Sequence, residues 1–134
     1  FMSMTVCIID DDLVSQFATR YCIQQFNKDF DIVTCASGEE GLYFCANLLE
    51  NEHRLPDVIL MDLIMDEMDG WTFLENYREA FQSYQSTQIF ILSAFVNTKD
   101  RSRAKENNMI SGYFDKPLSK SLMQQIFHTS EEKH

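Results

Sequence analysis

Leu55-Pro56-Asp57-Val58-Ile59-Leu60-Met61-Asp62, continuing through Leu63-Ile64-Met65-Asp66-Glu67-Met68-Asp69-Gly70, is the stretch around which the chain is organised. It opens at a proline, runs through the unbroken apolar segment Val58 to Met61 and stops at a carboxylate. A short apolar run rich in branched residues fits a strand buried on both faces. Asp69-Gly70 closes the segment with a turn signal. An acidic residue at the carboxyl end of a buried parallel strand stands where open α/β sheets place their ligands.

Working outward, four more strands are predicted. Thr5 to Ile9 ends in Asp10-Asp11-Asp12, and Asp31 to Ala36 is followed by the capping-box signature Ser37-Gly38-Glu39-Glu40. Gln88 to Ser93 is a buried strand ending in a hydroxyl, and Gly112 to Asp115 leads into Lys116-Pro117. The gaps between strand starts are too long for hairpins and suit strand–helix units, so the sheet is predicted to be parallel. Helical spacing puts Val14, Phe17, Ala18, Tyr21 and Cys22 on one face of the first helix. The same rule turns Leu42, Cys45, Ala46 and Leu49 inward, then Phe73, Leu74, Tyr77 and Phe81, and Leu122, Met123, Ile126 and Phe127 after a Ser119 cap. The fourth helix, about Thr98 to Asn107, offers only Ala104 as an apolar contact and is expected to be the least firmly held.

With 134 residues, 45% of them hydrophobic and 24% charged, the chain reads as one globular domain. Residues 1–4 read as a tail or expression scar with Met4 as the native start, 5–128 as the domain, and 129–134 as a C-terminal tail that frays from Glu131. No apolar run approaches the roughly 20 residues needed to cross a bilayer, and no signal peptide is visible. A net charge of −10 argues against direct binding to nucleic acid or an anionic membrane. Cys7, Cys22, Cys35 and Cys45 show neither Cys-x-x-Cys nor zinc spacing, so free thiols in a reducing cytoplasm are expected. His53, His128 and His134 read as surface residues and Trp71 as a packing residue.

In a parallel sheet, Asp10, Asp11, Asp62, Ser93 and Lys116 fall on one edge. Clustered carboxylates repel and raise one another's pKa values. A hard divalent cation relieves that cost, and oxygen ligands favour magnesium. Lys116 adds fixed positive charge and Ser93 a hydroxyl donor. Positioning and charge neutralisation are what phosphoryl transfer requires. The reading is that Asp62 is a nucleophile that accepts a phosphoryl group as an acyl phosphate.

Five segments carry a resemblance: Ile8-Ile9-Asp10-Asp11-Asp12, Pro56 to Asp62, Met68-Asp69-Gly70, Leu92-Ser93-Ala94 and Tyr113-Phe114-Asp115-Lys116-Pro117. In this order and spacing, the sequence resembles a response-regulator receiver domain of two-component signalling over essentially its whole length. The resemblance implies an α/β, flavodoxin-like three-layer sandwich with strand order 2-1-3-4-5 and five helices. It implies a signalling phosphoacceptor rather than an enzyme, with Asp62 phosphorylated from a histidine kinase or histidine phosphotransfer protein. Asp11, Asp62 and the backbone carbonyl of Ile64 would hold Mg2+ directly, and Asp10 largely through water. Ser93 and Lys116 would contact the phosphoryl group. Tyr113 falls on the aromatic switch position, and the Lys116-Pro117 bond would be cis. On phosphorylation, Ser93 would be drawn to the phosphoryl group, Tyr113 would turn inward, and the fourth helix and fifth strand would present a new surface to a downstream protein.

Asp66 stands where such domains usually carry proline, which brings another negative charge to the site. Ile64 and Phe95 are expected to border its entrance and shield the acyl phosphate from water. Two other readings remain open: a degenerate receiver that binds partners without phosphorylation, and a phosphatase of haloacid-dehalogenase type. The second needs a carboxylate two positions after its nucleophile, where this chain has Ile64.

Overall fold

The computed structural model describes residues 3–84, 86–94 and 97–132, with side chains through Phe127. Phe1, Met2, Phe95, His134 and the side chain of His128 lie outside the described residues, and with them the expectations placed there. The elements alternate: β1 (Thr5–Ile9), α1 (Leu13–Phe26), β2 (Asp31–Cys35), α2 (Gly38–Glu50), β3 (Val58–Met61), α3 (Gly70–Phe81), β4 (Gln88–Ser93), α4 (Thr98–Glu106), β5 (Ile110–Asp115) and α5 (Lys120–Glu132). All four strand pairings are parallel, in the order β2-β1-β3-β4-β5. The predicted α/β architecture and strand order are therefore those observed. β5 starts two residues earlier than expected, and α5 continues past residue 128.

The two-residue period of the strands sorts the core into two layers. Cys7, Ile9, Ile59, Met61, Ile89 and Ile91 face Cys45, Phe73, Leu74 and Tyr77 of α2 and α3. Val6, Ile8, Val58, Leu60, Phe90 and Leu92 face Ile23, Met123, Ile126 and Phe127 of α1 and α5. Every residue of β3 and β4 is buried, as a central parallel strand requires.

Each helix begins at a side-chain cap. Asp12 accepts from the Val14 N–H, Ser37 from Glu40, Asp69 from Thr72, Asn97 from Asp100, and Ser119 from Leu122. Glu40 returns a bond to the Ala36 N–H, completing the cap read from the sequence. Gly70 is required by close approach, because a Cβ there would lie 2.9 Å from the Leu63 Cα. The Gly70 N–H donates to the Leu63 carbonyl at 2.9 Å and closes the loop that follows Asp62.

The residues that the sequence groups on one face of the first helix share that face, and it points to solvent. Val14, Phe17, Ala18 and Tyr21 face outward with Leu13, whereas Gln16, Thr19 and Ile23 are buried and Cys22 is half-buried. Gln16 explains the phase. Its amide donates to the Asp10 carbonyl at 2.6 Å and to the Cys35 carbonyl at 3.5 Å, tying the helix to the ends of β1 and β2. The inward faces predicted for α2, α3 and α5 are those found.

The four cysteines are free. Cys7 and Cys35 touch across the sheet with their sulfurs 3.8 Å apart. Its bond to Cys35, with burial, holds the Cys7 thiol well above its ordinary pKa, and burial pushes Cys45 up to about 12. Protonated, enclosed thiols of this kind are inert. Among the described residues, no helix is long and apolar enough to cross a membrane.

Candidate functional site

The sheet carries its ladder one residue past the strands, and that step aims the site. The Asp10 N–H donates to the Cys35 carbonyl at 3.0 Å, Asp62 to Ile9 at 3.0 Å, and Lys116 to Ser93 at 2.9 Å. Three residues far apart in sequence are thereby pinned side by side at the carboxyl edge. The Lys116-Pro117 peptide bond is cis.

Lys116 is the centre of the cluster. Its Nζ lies 2.7 Å from Asp10 Oδ2 and 2.8 Å from Asp62 Oδ2. The two carboxylates are nearly buried, and the lysine side chain retains 16% exposure. Burial works against the charged ammonium, but the hydrogen bonds and charges of Asp10 and Asp62 outweigh it. The lysine is held above its ordinary pKa. The other oxygen of Asp62 accepts from Ser93 Oγ and from the Ile64 N–H, each at 3.1 Å. The phosphoacceptor candidate is thus gripped from β4, from β5 and from its own loop.

Asp10 is fully engaged. Its Oδ1 accepts from the Asp12 N–H at 3.0 Å, and its Oδ2 from Ser15 Oγ at 2.7 Å as well as from Lys116. Asp11 points elsewhere, with Oδ2 accepting from the Asp66 N–H at 2.9 Å. The structure therefore joins Asp10, Asp62, Ser93 and Lys116 directly and places Asp11 beside the loop after Asp62. Ser15, Gln16 and the Asp66 amide were absent from the sequence reading. A β1-end carboxylate followed five residues later by serine on a helix's first turn is the one signal that could have found Ser15.

Magnesium is a question of donor chemistry. The carboxylates of Asp10, Asp11 and Asp62 are hard oxygen donors, which suit a hard cation. Among the described residues no group of three or more His, Cys, Asp and Glu side chains is arranged to hold a metal, and the Lys116 ammonium is paired with both Asp10 and Asp62.

Tyr113, on β5, lies beside α4. Its hydroxyl is buried without a hydrogen-bond partner among the described residues, and the Arg101 guanidinium sits 5.5 Å from its ring centre. Burial, with Asp100 nearby, raises its pKa. Trp71, at the start of α3, is bonded to the same helix. Its Nε1–H donates to Asp100 Oδ1 at 3.3 Å, and Arg103 stacks 4.3 Å from its ring centre. His53 is exposed.

The response regulator receiver domain family matches residues 6–128. The chain belongs to this family. Receiver domains are signalling phosphoacceptors, generally use Mg2+ at the phosphorylation site, and interact with histidine kinases or phosphotransfer proteins. Among curated proteins, the chain is 30% identical over 114 residues to the sensor histidine kinase CheAY of Helicobacter pylori, covering 85% of this chain and 13% of that protein. It is 28% identical over 132 residues to the response regulator VraR of Staphylococcus aureus, covering 96% of this chain and 57% of VraR. The receiver therefore spans little more than half of these relatives at most. A two-component response regulator from Cytophaga hutchinsonii superposes with a TM-score of 0.90 at 21% identity, covering 98% of this chain and 99% of that one. A CheY-like receiver domain from Methanospirillum hungatei superposes with a TM-score of 0.77 at 20% identity, covering 98% and 97%. At these identities the two structures bear on the fold alone.

Proposed function

We propose that Asp62 accepts a phosphoryl group from a phosphohistidine on a histidine kinase or phosphotransfer protein, in the cytoplasm. The observation that carries this reading is the double grip of Lys116 on Asp62 and Asp10, with Ser93 on the remaining oxygen of Asp62. An Asp62 oxygen attacks phosphorus, the P–N bond breaks, and the imidazole leaves with its electron pair and takes up a proton. Asp62 needs no base, since a carboxylate attacks as it stands. Mg2+, held by Asp11, Asp62 and the Ile64 carbonyl with Asp10 through water, would neutralise charge on the transferring group. Lys116 then exchanges its bond to Asp62 Oδ2 for one to a phosphoryl oxygen, and Ser93 turns its hydroxyl to another.

The donor protein must cover this rim to bring its imidazole to Asp62. Beside the rim stand Leu13 and Phe17, 71% and 72% exposed, with Val14 and Ile64, 77% and 58% exposed. An apolar surface flanking a charged site is the anatomy of a docking face. Ile64 would also shield the acyl phosphate from water. Movement of Ser93 would be felt at α4 and β5 through Tyr113, giving a downstream protein a changed surface.

Incubation with acetyl phosphate and Mg2+, followed by intact-mass measurement, tests the reading. The expected result is one phosphoryl group gained, and none in Asp62→Asn. No gain in the wild-type protein favours the phosphorylation-independent interaction module instead.

A further inference from the structure

The three carboxylates of the rim are not equivalent. Both oxygens of Asp10 are occupied by Asp12, Ser15 and Lys116, and both oxygens of Asp62 by Ser93, Ile64 and Lys116. Asp11 differs. One oxygen accepts from the Asp66 main chain, and the other has no protein partner among the described residues. Asp11 is also the least buried of the three. It is therefore the carboxylate free to take a cation without first surrendering a lysine, and also the one with the most freedom to swing away.

We propose that Asp66, through its backbone N–H, is a positioning residue for Asp11 and so sets the affinity of this rim for a divalent cation. The proposal rests on the cation reading given above. The contact spans 55 residues and fastens the loop after Asp62 to the end of β1. It fixes Oδ2 and leaves Oδ1 presented. Carboxylates that ligate metals are commonly held by such an outer hydrogen bond, and losing it typically costs about 10–100-fold in metal affinity. The bond depends on residue 66 not being proline, which has no N–H to give. A chain with proline at this place has to orient the corresponding carboxylate by other means. The Asp66 side chain plays a separate part: its charge lies near the rim and draws any cation without orienting a ligand.

Two substitutions separate the amide from the charge. Asp66→Ala keeps the N–H and removes the carboxylate, whereas Asp66→Pro removes both. Titration with MgCl2, followed by backbone amide shifts, gives an apparent Kd for each. Asp66→Ala is expected to bind within about threefold of wild type, and Asp66→Pro about tenfold more weakly or worse. In an Asp11→Ala background the proline should add nothing, because its effect passes through Asp11. Equal Kd values for the alanine and proline variants would overturn the proposal, as would a full proline penalty without Asp11. Should the proline variant fail to fold, the wild-type Asp66 amide proton decides. It should stay exchange-protected at saturating Mg2+ and lose protection in Asp11→Ala; loss of protection on Mg2+ binding would overturn the proposal. A wild-type protein whose rim amides do not respond to Mg2+ would overturn the cation reading itself, whereas a response shared equally by all variants would overturn only the role of Asp66.

Discussion

Helices α1 and α4 are built on opposite rules. α1 turns Leu13, Val14, Phe17 and Tyr21 to solvent, yet it is anchored by a fully buried Ile23 and by Gln16 bonded beneath the rim. α4 exposes almost nothing apolar and buries only Ala104. It is fastened instead by charge: Asp100 and Arg103 to Trp71, and Arg101 to Tyr113 and to Asp115 at 3.7 Å. Exposed contacts of this kind contribute up to about 1 kcal/mol each and weaken with salt. A helix locked into the core can present an apolar face without moving. A helix held by a few charge contacts can be shifted by a small change at the site. The two helices therefore differ in what holds them, core packing at α1 and charge at α4.

The largest expected effect separates their anchors. Ile23→Ala should cost about 3 kcal/mol in urea denaturation, since it opens a cavity under α1. Ala104→Gly should cost about 1 kcal/mol, mostly helix propensity. Equal losses would erase the distinction.

At the rim, Lys116 bridges Asp10 and Asp62. Lys116→Ala should cost about 2 kcal/mol near neutral pH by leaving Asp10 and Asp62 unpaired. Lys116 has a raised folded pKa, so its contribution is complete below the ordinary lysine value of 10.5 and fades as pH climbs through the raised value. Denaturation midpoints across that alkaline range, compared between wild type and Lys116→Ala, check this.

A smaller effect tests the hold on α4. Arg103→Ala should lower local stability by about 0.5–1 kcal/mol. Amide exchange should quicken in α4 and leave α1 unchanged, and added salt should mimic the substitution in part. Acceleration spread evenly over both helices would contradict a charge-held α4.

The smallest effect on stability falls on the α1 face. Phe17→Ser should change it by less than about 0.5 kcal/mol. The rate of phosphoryl transfer from a phosphohistidine protein should nevertheless fall at least about tenfold relative to the rate from acetyl phosphate. An unchanged ratio would remove docking from α1.

The sheet was readable because buried parallel strands declare themselves as apolar runs ending in polar groups, as Val58–Met61 before Asp62 and Gln88–Ser93 show. Lys116, Asp10, Asp62 and Ser93 could be brought together on paper because a parallel sheet puts all those ends on one edge. The phase of α1 was not readable. Periodicity reports which residues share a face but not which way that face points, and Phe17 and Val14 outweigh Gln16 on any apolar scale. The hydrogen bonds of Gln16 and of the Asp66 amide are equally silent in sequence, because they depend on how α1 and the loop after Asp62 settle against the end of β1. The weakness of α4 was legible from composition, but its fastening through Trp71 was not, since Asp100 and Arg103 are ordinary residues for a solvated helix.

The proposed role of Asp62 as phosphoacceptor has a direct chemical readout. Borohydride reduction converts an aspartyl phosphate to homoserine, which peptide mass mapping locates. After treatment with acetyl phosphate and Mg2+, homoserine is expected at position 62 and at no other carboxylate. Homoserine at Asp10, Asp11 or Asp66, or none at all in a folded protein, would contradict the account.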